Sequence, residues 1–164
     1  MQKAELAVRL RRQRQQEFWA IARELLKDPN VLRMRNYPQH RGTSCLTHCT
    51  AVAWYSFLLY KRLGLRGRES ELVRGALLHD FFLYDWHKPD HGHLHGYLHP
   101  ARAARNAARY FPISALEREI IRRHMWPLTP VPPLHLCALI VSLVDKGCTL
   151  SEVAGYRYPS FLYY

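Results

Sequence analysis

The stretch Ala76-Leu77-Leu78-His79-Asp80 sets an imidazole beside a carboxylate at the end of an oily helical run. Leu72, Ala76, His79 and Leu83 fall on one helical stripe, with Val73, Leu77 and Asp80 beside it. Polar groups in such a stripe must be paired or bound to something. Four more residues share the predicament. His48 lies in an apolar helical run, and Leu116, Ile120 and His124 form one stripe. Leu134, Ala138, Val141 and Asp145 form another, and His99 stands at the mouth of a helix opened by Pro100. Such a chain folds around its polar residues as well as its apolar ones.

The apolar period is helical throughout, and no convincing strand appears. The expectation is an all-α fold, a single helical bundle of about six to eight helices spanning 1–164. Within it, 43–150 hold the helices that carry these polar residues, and 1–35 form a basic N-terminal helical extension. A first helix covers about 4–27, and Asp28-Pro29 stops it and opens a short second one. Thr43 or Ser44 caps a helix to about residue 63, apolar on much of its circumference and so central. Glu69 or Ser70 begins the helix that carries His79, and Gly75 inside it permits close packing. Residues 84–98 read as a loop holding His87, His91, His93 and His95, which either contact substrate or are simply solvated. His99-Pro100 starts the next helix, and Ser114 to Glu117 spell a capping box for another. The last long helix runs over about 134–146, with Gly147 as its stop and residues 149–152 capping a short final helix. The aromatic tail YRYPSFLYY docks on the body or on a partner subunit.

Net charge is +11, from 24 Lys and Arg against 13 Asp and Glu, which favours anionic partners. Arg9, Arg11, Arg12 and Arg14 form either a solvated face or a nucleic-acid or membrane contact. The four cysteines form no C-x-x-C pair, and with no signal-peptide pattern at the start a reduced, cytoplasmic setting is the simpler reading. The longest apolar stretch, 131–144, is too short to span a bilayer. No Gly-rich phosphate loop or G-x-S-x-G elbow occurs.

His48, His79, Asp80, His99, His124 and Asp145 together offer four imidazoles and two carboxylates. That set suits a divalent transition metal: Fe or Mn first, with Co, Ni, Zn or Mg as further candidates. One ion needs three or four such ligands, so six point to two ions. Asp80 is then the natural bridge, at the roughly 3.5–4 Å spacing of two-metal sites. Such a pair activates water and clamps a transferring phosphoryl group. Lys88, Arg102, Arg105 and Lys146 are the candidate phosphate-binding cations, by proximity in sequence.

The ordered segments THCTAV, GALLHDFF, YLHPARAARNA, IIRRHMWPLT and SLVDKG resemble the HD-domain superfamily of metal-dependent phosphohydrolases. The family pattern is a histidine, an adjacent His-Asp pair and a later aspartate on a helical core. Two-metal members add histidines between the pair and that aspartate, where His99 and His124 stand. The resemblance spans about residues 43–150 and is nearest in layout to the small bacterial HD hydrolases, which include dinucleoside polyphosphate hydrolases. It implies a helical core, a dinuclear centre on the six residues, catalysis at His79 and Asp80, and a small phosphorylated substrate such as a nucleotide. The chain departs from many two-metal members by Leu83, where they carry a lysine, and by its His-rich loop. Two other readings stand beside it: a non-enzymatic basic helical protein binding nucleic acid or a nucleotide, and a di-iron oxygenase of the same superfamily.

Overall fold

A computed structural model describes residues 2–88 and 94–163. Among them are seven α-helices and no strand: α1 (Gln2–Leu26), α2 (Pro29–Leu32), α3 (Cys45–Arg62), α4 (Glu69–Leu78), α5 (His95–Tyr110), α6 (Ala115–Arg123) and α7 (Leu136–Val153). Helix α3 is buried on most sides and packs against both α4 and α7, as its all-round apolar pattern requires. Ser44 caps it, its hydroxyl accepting from the Thr47 N–H at 3.1 Å. The helix ends on Gly64, at φ 72, with paired bonds from Gly64 N to Lys61 O and from Leu65 N to Tyr60 O. The turn between α2 and α3 folds back on itself, Gln39 N bonding Thr43 O and Cys45 N bonding Tyr37 O. That turn presents Gln39 and His40 to the end of α4.

Helix α4 meets α6 at close range because residue 75 is glycine. A Cβ there would stand 2.9 Å from Ile120 Cδ1 and 3.0 Å from its Cβ. Gly75→Ala should therefore destabilise the fold by about 1–3 kcal/mol, the overpacking cost exceeding the propensity gain of alanine. A chemical melt checks this, and a more stable variant would contradict it. The capping box of α6 forms as expected, Glu117 N bonding Ser114 Oγ at 3.1 Å and Ser114 N bonding Glu117 Oε2 at 2.6 Å.

Three boundaries differ from expectation. Helix α4 stops at Leu78, with His79 as its C-cap, and Leu83 lies beyond it at φ 60. Asn106 of α5 pins the intervening turn by donating to the carbonyls of Phe81 and Phe82, both at 3.0 Å. Helix α5 begins at His95, one turn before His99-Pro100, so the loop is shorter than 84–98. Pro100 lies inside the helix and forgoes only the bond to the Gly96 carbonyl. Helix α7 passes straight through Gly147 and absorbs the expected final helix. A glycine ends a helix only where the chain turns left-handed, which happens at Gly155, at φ 87. There Gly155 N bonds Glu152 O and Tyr156 N bonds Ser151 O. The tail returns onto the body: Tyr158 and Leu162 are buried, and Phe161 meets the Trp54 ring edge-on at 5.5 Å.

Candidate metal centre

His48, His79, Asp80, His99, His124 and Asp145 come from α3, α5, α7 and the ends of α4 and α6, and none is more than 6% exposed. Three of the histidines are oriented in the same way. Nδ1 of His79 lies 2.7 Å from the Ala76 carbonyl, that of His99 2.9 Å from the His95 carbonyl, and that of His124 2.8 Å from the Ile121 carbonyl. A carbonyl only accepts, so each Nδ1 carries the proton and each Nε2 faces inward.

The inward atoms crowd around Asp80. Its Oδ1 is 3.1 Å from His99 Nε2 and 3.4 Å from His124 Nε2, and its Oδ2 is 3.5 Å from His79 Nε2. The Nε2 atoms of His99 and His124 are 2.8 Å apart. With both Nδ1 atoms protonated, two lone pairs meet there, which is repulsive unless a proton or a metal cation lies on them. Among the described residues, His79 Nε2 and Asp80 Oδ1 are buried and have no hydrogen-bond partner. Orphaned acceptors of this kind are costly, and a cation satisfies both. Gln39 holds the other side of Asp80, its Nε2 donating to Oδ2 at 2.8 Å.

On the far side of His79, Asp145 Oδ1 stands 3.5 Å from His79 Nε2 and 3.1 Å from His48 Nε2. His48 Nδ1 is 2.8 Å from Glu152 Oε1, which also accepts from the Tyr158 hydroxyl at 2.6 Å. The residues thus make two groups able to chelate a metal ion, His48–His79–Asp145 and His79–Asp80–His124, with ligand atoms within 4.8 Å of one another. His79 belongs to both.

Burial disfavours every charge here, yet both carboxylates stay ionised. His79 and His99 hold Asp80 well below the ordinary carboxylate range, and the hydrogen bond from His48, with the His79 ring beside it, holds Asp145 below it too. Burial also works against protonated His48, but Asp145 and Glu152 raise it well above the usual histidine range. His79 rises likewise, burial being outweighed by the Asp80 and Asp145 carboxylates. A field that holds protons on these nitrogens also holds a divalent cation, and the two compete. Metal uptake should therefore release protons, and apparent affinity should fall as pH is lowered. Adding Mn²⁺ to weakly buffered protein with a pH indicator checks this; pH-independent affinity would contradict it. Cys45 and Cys49 are core residues: all four cysteines are free and buried, and burial pushes both of these thiols up, away from the thiolate a metal prefers.

The surrounding residues are aromatic and basic. His95 stacks on His99, with centroids 4.5 Å apart, and Trp86 stacks on His95. The Tyr84 hydroxyl meets His95 Nδ1 at 2.7 Å. Burial and the neighbouring His99 push His95 down to about 4, so it is neutral at pH 7. His87 binds Asp85 instead, at 3.2 Å, while His91 and His93 lie outside the described residues. Of the four cations, Arg102 lies over the Tyr84 ring at 4.6 Å, and Lys88 and Arg105 are exposed. Lys146 is half-buried, 3.9 Å from Asp145 Oδ2, and gives its protons to the His124 carbonyl, the Ser142 carbonyl and the Ser142 hydroxyl.

Gln39, Glu152 and Tyr158 are not among the site residues expected from the sequence, where Glu152 reads only as part of the 149–152 capping pattern and Tyr158 only as part of the docking tail. Glu152 did leave a trace: it stands seven residues, two helical turns, after Asp145, a register hidden by taking Gly147 as a stop. A scan against protein-family models and a search of curated proteins each find no match for this chain. No helix among the described residues is long and apolar enough to cross a membrane.

Proposed function

We propose that this chain is a metal-dependent phosphohydrolase of the HD-domain type, with a dinuclear centre on His48, His79, Asp80, His99, His124 and Asp145. Its substrate is a small anionic phosphorylated compound, a nucleotide or phosphorylated metabolite. The observation that carries the reading is the pair of chelating groups sharing His79, with the unpaired Asp80 Oδ1 among imidazole nitrogens beside it. Ions bound there would lower the pKa of water and neutralise charge developing on phosphoryl oxygens.

The chain's own residues have separable roles. Gln39 fixes the Asp80 carboxyl by its Oδ2 and leaves Oδ1 turned to His99 and His124. Arg102 is the best placed of the four cations to bind substrate phosphate, since Tyr84 and His95 link it to His99. Lys146 already has three acceptors and contributes its charge beside Asp145 rather than a free donor. Lys88 and Arg105 add positive charge from exposed positions.

The test is phosphate release from a panel of nucleotides, dinucleoside polyphosphates and phosphate diesters, using chelator-stripped protein reloaded with Mn²⁺ or Fe²⁺. Hydrolysis that appears with metal and vanishes with chelator is the expected result. A metal-loaded protein that hydrolyses nothing on the panel overturns the assignment, and oxygen uptake with an organic phosphate would replace it by the oxygenase reading.

A further inference from the structure

We propose that Glu152 is a positioning residue for the metal centre, orienting His48 through Nδ1 while Tyr158 of the C-terminal segment holds the carboxylate in place. The inference rests on the metal-centre reading above and extends it to residues outside the ligand set.

His48 differs from the other three histidines in one respect. His79, His99 and His124 each turn Nδ1 onto a carbonyl one helical turn back. His48 turns its Nδ1 onto a carboxylate from another helix, 104 positions away in the chain. A ligating histidine needs its second nitrogen protonated and held, and a carboxylate there fixes the ring and strengthens the ligand. With Nδ1–H given to Glu152, Nε2 of His48 is directed to the Asp145 and His79 side, where the chelating group lies.

Glu152 is buried at 1% exposure, and its Oε2 has no hydrogen-bond partner among the described residues. An acid in that setting is costly for packing alone. Its Oε1 takes two bonds, from His48 and from the Tyr158 hydroxyl. Tyr158 reaches it because the left-handed turn at Gly155 folds the segment after α7 back along that helix. Tyr158 also bonds the Cys148 carbonyl at 3.5 Å and packs near Tyr55. The tail is thereby part of the metal centre's support.

The experiment is a Mn²⁺ titration of chelator-stripped wild-type, Glu152→Gln and Tyr158→Phe proteins, with free Mn²⁺ read by electron paramagnetic resonance. Circular dichroism and melting of the stripped proteins are recorded alongside. In Glu152→Gln, one of the two binding steps should weaken about 10–100-fold while the other stays close to wild type. The weakened step is the one assigned to His48–His79–Asp145. Tyr158→Phe should weaken the same step by about three- to tenfold, less than the full hydrogen bond it removes, because the hydroxyl acts on His48 only through Glu152. A residue that only supports the fold would lower the melting temperature and weaken both steps together, which would overturn the proposal. Folded Glu152→Gln protein with both steps unchanged would overturn it too, leaving the metal-centre reading intact. Should Glu152→Gln not fold, Tyr158→Phe decides by the same criterion. Wild-type protein that binds no Mn²⁺ overturns this inference and the metal-centre reading together.

Discussion

Asp80→Ala protein should fold, lose its bound metal and hydrolyse phosphate esters at least about a hundredfold more slowly than wild type. Among the described residues the carboxylate is the one acidic group shared by His79, His99 and His124, at 3.1–3.5 Å from their Nε2 atoms. Without it the His79–Asp80–His124 group has no anionic ligand. The fold should survive because helices α3, α4, α6 and α7 meet over apolar side chains such as Leu46, Leu72, Leu77 and Ile120, all fully buried. One cost is predictable: the Gln39 amide loses its acceptor, which removes about 1–3 kcal/mol. Asp80→Asn keeps the shape and can still accept from Gln39, so it separates loss of charge from loss of packing. Metal content, circular dichroism and phosphate release are the measurements. Folded Asp80→Ala protein with wild-type activity would remove Asp80 from the centre.

Phe18→Ala should do the reverse, lowering stability sharply while sparing metal binding in the protein that remains folded. The buried apolar residues of helix α1 lie in its second half. Leu6 and Leu10 are exposed, whereas Phe18, Ala22, Leu25 and Leu26 are buried. The Phe18 ring meets Trp54 edge-on at 5.2 Å and Phe57 at 6.0 Å. Truncating a fully buried phenylalanine costs about 3–5 kcal/mol. In a chain of this size that is a fall of roughly 6–20 °C in melting temperature. The rings that Phe18 meets, Trp19, Trp54 and Phe57, are not candidate ligands, so the stoichiometry of bound metal below the transition should be unchanged. A variant that melts like wild type would mean that α1 is held elsewhere.

The helices were readable because their apolar residues recur at helical spacing and because Ser44, Asp28 and the Ser114–Glu117 pair are local capping signals. The candidate ligands were readable for a related reason: a histidine or aspartate on an apolar stripe is conspicuous without knowledge of its neighbours. What failed was whatever depends on distant parts of the chain. Gly147 reads as a stop, but nothing at that point turns the chain left-handed, so α7 continues and brings Glu152 to His48. Pro100 reads as a first helical residue, but one forgone bond leaves the helix free to begin a turn earlier. Gln39 sits in a Pro- and Gly-bounded turn with no periodicity to mark it, and only the folded turn puts its amide on Asp80. The tail's aromatic content announced that it docks, though not that Tyr158 ends on Glu152, beside the candidate metal centre.

Two groups of buried side chains that share His79 are able to hold a metal ion. Elemental analysis of untagged protein, purified without added metal and again after reconstitution with Mn²⁺ or Fe²⁺, tests it most directly. About two equivalents of a transition metal per chain is the predicted result. No metal in either preparation would contradict it, and would leave the histidines and aspartates as a hydrogen-bonded network inside a helical bundle.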